Sequence, residues 1–94
     1  MASKPSIRTY RLTDHAKFEM RRRQVSEAEV AQVLDEPAEI ESVRIGRKIY
    51  QSKVKWGDPP EDYLLRVIVD TDRKPPEVVS AYRTSKIRKY WKGK

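Results

Sequence analysis

The chain has 94 residues, no cysteine, a single histidine and a formal net charge of +7, with 21 lysines and arginines against 14 acidic residues. That length builds one domain with a modest core and no second one. The composition excludes disulfide scaffolds, thiol nucleophiles, zinc–cysteine sites and multi-histidine centres, so no metal or cofactor is expected, while the positive excess is the footprint of a nucleic-acid binder.

Residues 1–9 read as a flexible arm and residues 10–94 as the domain. The opening "MASKPSIRTYR" lacks an apolar signal region, and no stretch is long enough to span a bilayer, so a cytoplasmic protein without a membrane partner is expected. Thr13 suits the N-cap of a first helix from Asp14 to about Gln24, with Asp14 at the positive end of the dipole. The run Arg21-Arg22-Arg23 lies at its C-terminal end, where positive charge is favoured. At helical spacing His15, Phe18, Glu19 and Arg22 share one side, and Ala16, Met20 and Arg23 another.

"SEAE" is a capping box for a second helix, with Ser26 as N-cap, Glu29 reaching back and Val25 stapled onto Val30. Val30, Val33 and Leu34 form its buried stripe, and Pro37 ends it. Beyond Pro37 the period changes to alternation, which predicts strands near 39–45, 48–56, 63–71 and 77–85. Gly46-Arg47 is the expected hairpin turn, and "GDPPED" and "DRKPP" are turn-rich connectors. The expectation is an α+β domain: two N-terminal helices on one face of a four-stranded antiparallel meander, followed by a short basic C-terminal helix or tail.

Strand parity locates the chemistry. With Trp56 opposite Tyr63 and Thr71 opposite Glu77, one face collects Val54, Trp56, Leu65, Val67, Val69, Val79 and Ala81 as the core under the helices. The other collects Lys53, Lys55, Arg66, Ser80, Tyr82 and Thr84, with Leu64 and Ile68 between them. That second face is basic with an aromatic inset. A slip of one residue would exchange the two sets.

The stretches "HAKFEMRRRQVSEAEVAQVLDEP", "GRKIYQSKV", "LLRVIVD" and "VVSAYRTSK" resemble the small bacterial family catalogued as domain of unknown function 4258. The resemblance runs from about Tyr10 to Tyr90. Its motif positions fall on His15, Ala16, Met20, Arg23, Tyr82, Arg83, Thr84, Ser85 and Lys86. The chain departs from the pattern at Glu19, where arginine is frequent, and at Gln24, where glycine is. The family is similar in layout to RelE- and ParE-like toxins, within the nuclease fold shared by barnase, EndoU, colicin and RelE domains. The resemblance therefore implies a RelE-like domain and a metal-independent endoribonuclease of a toxin–antitoxin module. It also implies RNA as substrate, free or ribosome-associated, and a small acidic antitoxin as partner.

Metal-free RNA cleavage needs a base for the 2′-hydroxyl, donors for the phosphoryl oxygens and an acid for the leaving oxygen. His15 is the one side chain whose ordinary pKa suits that work near neutrality; the alternative is a helix-start histidine paired with Glu19. Arg83 offers a guanidinium fork for phosphate and is expected near the start of the first helix, beside His15; the alternative is a structural ion pair with a carboxylate. Tyr82 is a proton carrier or a stacking platform, against simple strand packing. Lys86 would stabilise the scissile phosphate.

The catalytic candidates are thus His15, Tyr82, Arg83 and Lys86. The nucleic-acid-binding candidates are Arg23, Lys53, Lys55, Arg66, Thr84, Arg88, Lys89, Tyr90 and Trp91. In "SKIRKYWKGK" cations alternate with two aromatics that suit base stacking. The same pattern also fits a short helix docked on the sheet through Ile87 and Trp91, with its lysines in water. A nucleic-acid-binding or regulatory module without chemistry, or a gyrase-inhibiting toxin on the same scaffold, remains beside the ribonuclease reading.

Overall fold

The computed structural model describes residues 5–93. Thr13 has extended backbone, and its hydroxyl accepts the Ala16 amide at 3.0 Å, which starts α1, Asp14–Arg22. The expected continuation to Gln24 is corrected. The Gln24 amide donates to the Arg21 carbonyl at 3.3 Å and the Val25 amide to that of Met20 at 2.8 Å, the paired bonds of a Schellman turn. Gln24 is thereby held at φ 57°, in the left-handed region where glycine is favoured. Met20 and Val25 are both buried at this turn.

Ser26 then caps α2, Glu27–Asp35: its hydroxyl accepts the Glu29 amide at 3.1 Å, and its own amide donates to the Glu29 carboxylate at 2.8 Å. The capping box read from the sequence is formed. Ahead of both helices, Ile7 and Arg8 fall in the segment expected to be a flexible arm. The Ile7 amide donates to the Leu34 carbonyl at 2.8 Å, and Arg8 pairs with Asp35 at 2.6 Å, so this part is docked on α2. Residues 1–4 of the expected arm lie outside the described residues.

Five strands form the sheet: β1 (Arg11–Leu12), β2 (Glu39–Arg44), β3 (Arg47–Trp56), β4 (Glu61–Asp70) and β5 (Glu77–Thr84), in the order β1-β5-β4-β3-β2. The consecutive strands β2 to β5 pair antiparallel, as the short connections require. The expected four-stranded antiparallel sheet is corrected to a five-stranded mixed one, because β1 runs parallel to β5 with Arg11 opposite Glu77 and Leu12 opposite Val78. Two residues carry no readable alternation; β5's free edge makes them a strand.

Two register details differ from the expected ones. The β2–β3 turn is Ile45-Gly46 and not Gly46-Arg47, with Arg44 opposite Arg47. Gly46 takes φ 85°, a conformation that favours glycine. On β5 the register shifts at Val79, between the pairs Ile68–Ser80 and Val69–Val78. Val78 therefore joins the core, fully buried, where Val79 was expected.

Trp56 faces Glu61 while Val54 faces Tyr63, a shift of two residues that leaves the faces unchanged. The core packs Ala16, Met20, Val25, Val30, Val33 and Leu34 against Tyr50, Leu65, Val67, Val69, Val78 and Ala81. Each such burial contributes roughly 1.5–3 kcal/mol for the larger side chains. A last short helix, α3 (Ile87–Tyr90), follows β5 and leads onto the sheet face that the first two helices leave open. No helix among the described residues is long and apolar enough to cross a membrane.

Candidate functional site

The end of β5 sends neighbouring side chains to opposite faces, so Tyr82 and Arg83 enter different environments. Arg83 goes to the helix side, as parity predicts, but meets the C-terminal end of α1 and not its start. Its guanidinium donates to the Arg23 carbonyl at 2.9 Å and to the Gln24 carbonyl, and its Nη2 lies 3.3 Å from the Glu29 carboxylate. It also stacks over the Trp56 ring at 4.1 Å, with its side chain only 6% exposed. Burial works against charge on Glu29, yet Ser26 and Arg83 together hold its carboxyl below the ordinary range.

One cation therefore ties the α1 C-terminus, the α2 capping box and the end of β5 together. His15 is exposed in the first turn of α1. Eight residues of helix, about 12 Å at 1.5 Å each, separate it from Arg23. The expected meeting of His15 with Arg83 is corrected on this geometry: α1 runs so that its far end reaches Arg83.

Tyr82 and Arg66 lie on the open face, as expected. Arg66 is 3% exposed and bonds through all three nitrogens: Nε donates to the Gln51 side chain at 2.9 Å, Nη1 to the Tyr82 hydroxyl at 2.7 Å and Nη2 to Glu41 at 2.9 Å. The Tyr90 ring covers it at 4.0 Å. Three of its five N–H groups are used, and burial under the Tyr90 ring leaves phosphate no open approach to the others. Arg66, expected as a nucleic-acid contact, is thus corrected to the centre of a buried polar network.

Arg23 is similarly occupied. It pairs with Glu19 at 2.8 Å and donates to the Ala81 carbonyl at 3.3 Å, on the part of β5's outer edge that β1 does not reach. Its guanidinium carbon lies 5.7 Å from the centre of the Tyr82 ring, on whose hydroxyl Arg66 bonds. The Arg22 guanidinium first, and Arg23 with it, hold the Glu19 carboxyl below the ordinary range.

The C-terminal segment is docked on the open face. Gln51 donates to the Tyr90 carbonyl at 3.1 Å and to Glu39 at 2.7 Å, and Glu39 accepts the Lys92 amide at 3.0 Å. Lys53 lies over the Trp91 ring at 4.6 Å, and Lys89 over Tyr90 at 5.3 Å. Ile87, Tyr90 and Trp91 are half-buried, whereas Lys86, Arg88, Lys89 and Lys92 are exposed. None of these four cations has an ion pair among the described residues. Thr84 accepts the Lys86 amide at 3.1 Å and shapes the turn into α3. Lys55 is exposed but neutralised by Asp62 at 2.6 Å.

The structure thus gathers Arg66, Tyr82, Tyr90, Trp91 and Lys53 on one face, and places His15 and Arg83 elsewhere. The acids and the amide that organise that face, Glu39, Glu41 and Gln51, were missed from sequence; their alternation with Arg66 across β2, β3 and β4 was the available signal. Comparison with curated proteins and with solved structures found no match. A family model matches residues 12–83, from Leu12 in β1 to Arg83 in β5, and so takes in α1, α2 and the sheet but for its two terminal residues, Arg11 and Thr84. The chain belongs to the family described as domain of unknown function (DUF4258).

Proposed function

We propose that the chain is a nucleic-acid-binding module whose contact surface is the docked C-terminal segment. One observation carries this reading: Lys86, Arg88, Lys89 and Lys92 stand exposed, without an ion pair among the described residues, on a segment whose aromatic side chains anchor it to the sheet. A cationic segment held in place binds phosphate at a lower ordering cost than a free tail does. Tyr90 and Trp91 already carry their own cations over their rings, which leaves phosphate contact, and not base readout, as the main source of affinity.

RNA is the class of nucleic acid favoured by the likeness to RelE-type domains. Affinity for a fluorescent single-stranded RNA should fall linearly in log–log with salt, and an Arg88→Ala, Lys89→Ala pair should reduce that slope by about 1.4, at roughly 0.7 per phosphate contact. An unchanged slope and affinity in this pair would sink the proposal.

A second reading, the RelE-like endoribonuclease toxin with an acidic antitoxin, is favoured by one feature. The Tyr82 phenol sits between the Arg66 and Arg23 guanidinia, on the face bordered by the basic segment. A phenol so placed is a candidate proton carrier beside a phosphate. RNA incubated with the chain and a chelator tests it: products formed by the native chain and lost in Tyr82→Phe support cleavage, and intact RNA with the native chain refutes it. His15→Ala asks in the same assay whether an exposed imidazole contributes.

A further inference from the structure

We propose that the end of the sheet at the β2–β3 turn is a contact site for an anionic lipid surface, with Ile45 and Val43 entering the headgroup layer and a collar of cations lying against its acidic groups. Ile45 is 98% exposed and Val43 51%, and apart from Phe18 on α1 no other large apolar side chain among the described residues stands so far out. The turn itself needs neither. Gly46 supplies the positive φ, and Ile45 holds the first turn position, which most residue types can take. Val43 is the extra residue of the register shift between Ser42 and Arg44, and a bulge of this kind turns a side chain out of the alternation.

Cations surround this tip. The Thr71 amide donates to the Gly46 carbonyl at 2.9 Å, so the connector after β4 lies beside the turn and brings Arg73 and Lys74 to it. Arg44 and Lys48 flank the turn, and Arg44 leans on it by donating to the Ile45 carbonyl at 3.2 Å. All four are exposed, and none has an ion pair among the described residues. The acids of this end are Asp70 and Asp72. Asp70 is occupied by Arg47 at 2.6 Å. That bond first, with Arg44 and Arg73 adding to it, holds the Asp70 carboxyl below the ordinary range, so all three guanidinia act at this end. Asp72 alone does not offset the four cations without an ion pair.

The order of these groups identifies the partner. A bilayer with acidic lipids presents anions over hydrocarbon, and this end presents two aliphatic side chains in front of cations. A polynucleotide presents phosphates around aromatic bases, and Ile45 and Val43 supply neither a ring to stack nor a donor to read a base edge. A second copy of the tip would set one collar of cations against another. Contact of this kind lies in the surface plane and needs no spanning helix. It is also separate from the C-terminal segment. Glu39, which accepts the Lys92 amide, lies six residues from Ile45, about 20 Å along β2 at roughly 3.3 Å per residue. The inference does not rest on nucleic-acid binding.

The test is flotation of the chain with vesicles of phosphatidylcholine containing about a third phosphatidylserine, against vesicles of phosphatidylcholine alone. The chain should bind the acidic vesicles and not the neutral ones. A Val43→Ser, Ile45→Ser pair keeps every charge and changes only exposed side chains, so it should melt like the native chain and bind acidic vesicles about tenfold more weakly. In the native chain, a nitroxide on the lipid acyl chain should broaden the Ile45 methyl signals more strongly than those of Ile87 beside the C-terminal cations. Equal binding of the native chain and the serine pair would mean attraction by net charge alone, and would overturn the proposal. So would stronger broadening at Ile87, or no binding to acidic vesicles. If the serine pair kept its vesicle affinity and lost affinity for an RNA duplex, the tip would belong to a nucleic-acid surface instead.

Discussion

Replacing Arg83 with alanine separates a structural from a phosphate-binding role. In the native chain this guanidinium satisfies the carbonyls of Arg23 and Gln24, neutralises Glu29 and lies on Trp56. Alanine leaves two carbonyls at the negative end of α1 and one carboxylate without their cation. Breaking a buried pair from one side costs about 3–5 kcal/mol. Glu29 is 31% exposed, and water reaches it once Arg83 is gone, which places the loss near the lower end, at about 3 kcal/mol.

A domain of this size has a total stability of about 5–14 kcal/mol, so the change is a large fraction of it. At roughly 4–8 °C per kcal/mol, the midpoint falls by about 12–24 °C. Urea unfolding followed by circular dichroism measures it, with the slope against denaturant unchanged. Arg83→Lys keeps the charge and loses the fork, and should lie between the two. A loss below about 0.5 kcal/mol in Arg83→Ala, the size of an ordinary surface change, would refute the structural role and return Arg83 to the ligand surface. The same number governs activity assays: loss of RNA cleavage in this variant has meaning only at a temperature where it is still folded.

Gln24→Gly should raise stability by about 0.5 kcal/mol, since relief of the left-handed conformation outweighs the added freedom of the unfolded chain; a lower melting midpoint would contradict the Schellman geometry. Val78→Ala should cost about 1.5–2 kcal/mol and Val79→Ala clearly less in parallel melts, and the reverse order would remove the β5 bulge. Asp70 is held below the ordinary range first by its bond to Arg47, Asp62 by Lys55 and Glu19 by Arg22. These depressed folded values mean stability that is complete above the unfolded pKa, near 4, and is lost as pH falls through and below it. Acid titration of the melting midpoint should show a decline beginning there, and Asp70→Asn should flatten it; a midpoint constant down to pH 2.5 would exclude the linkage.

The helix starts were legible because each is decided by a few adjacent residues: Thr13, and Ser26 with Glu29, need no knowledge of the sheet. The extents of the four long strands were legible from alternation. The site was less so, and a single turn explains much of the difference. With Gly46-Arg47 as the turn, Ile45 would face Lys48, and Glu39 and Glu41 would point to the helix side. The real turn at Ile45-Gly46, with the register shift between Ser42 and Arg44, brings Glu39 opposite Gln51 and puts both acids on the Arg66 face. The sequence reading placed neither acid on a face, so Arg66 was read as a free cation. For Arg83 the face was right and the neighbour wrong, because period and capping fix which face of α1 is buried but not the direction in which it crosses the sheet.

Arginine and lysine divide the work of this chain. Seven of the eight ion pairs among the described residues use arginine and one uses lysine, so the planar fork serves mostly to hold elements together. The exposed cations of the C-terminal segment are mainly lysines, compact charges in water that attract a polyanion without fixing its geometry. The net charge of +7 then comes largely from residues the fold does not consume. It follows that Arg66→Lys should disrupt the buried network while Lys89→Arg should leave the fold intact, since only the first position spends its donors on Gln51, Tyr82 and Glu41 at once. If the C-terminal segment is the contact surface proposed above, affinity for nucleic acid should move with its exposed cations, Arg88 among them, and stability with the paired arginines; a chain in which the two responses could not be separated would not be organised in this way.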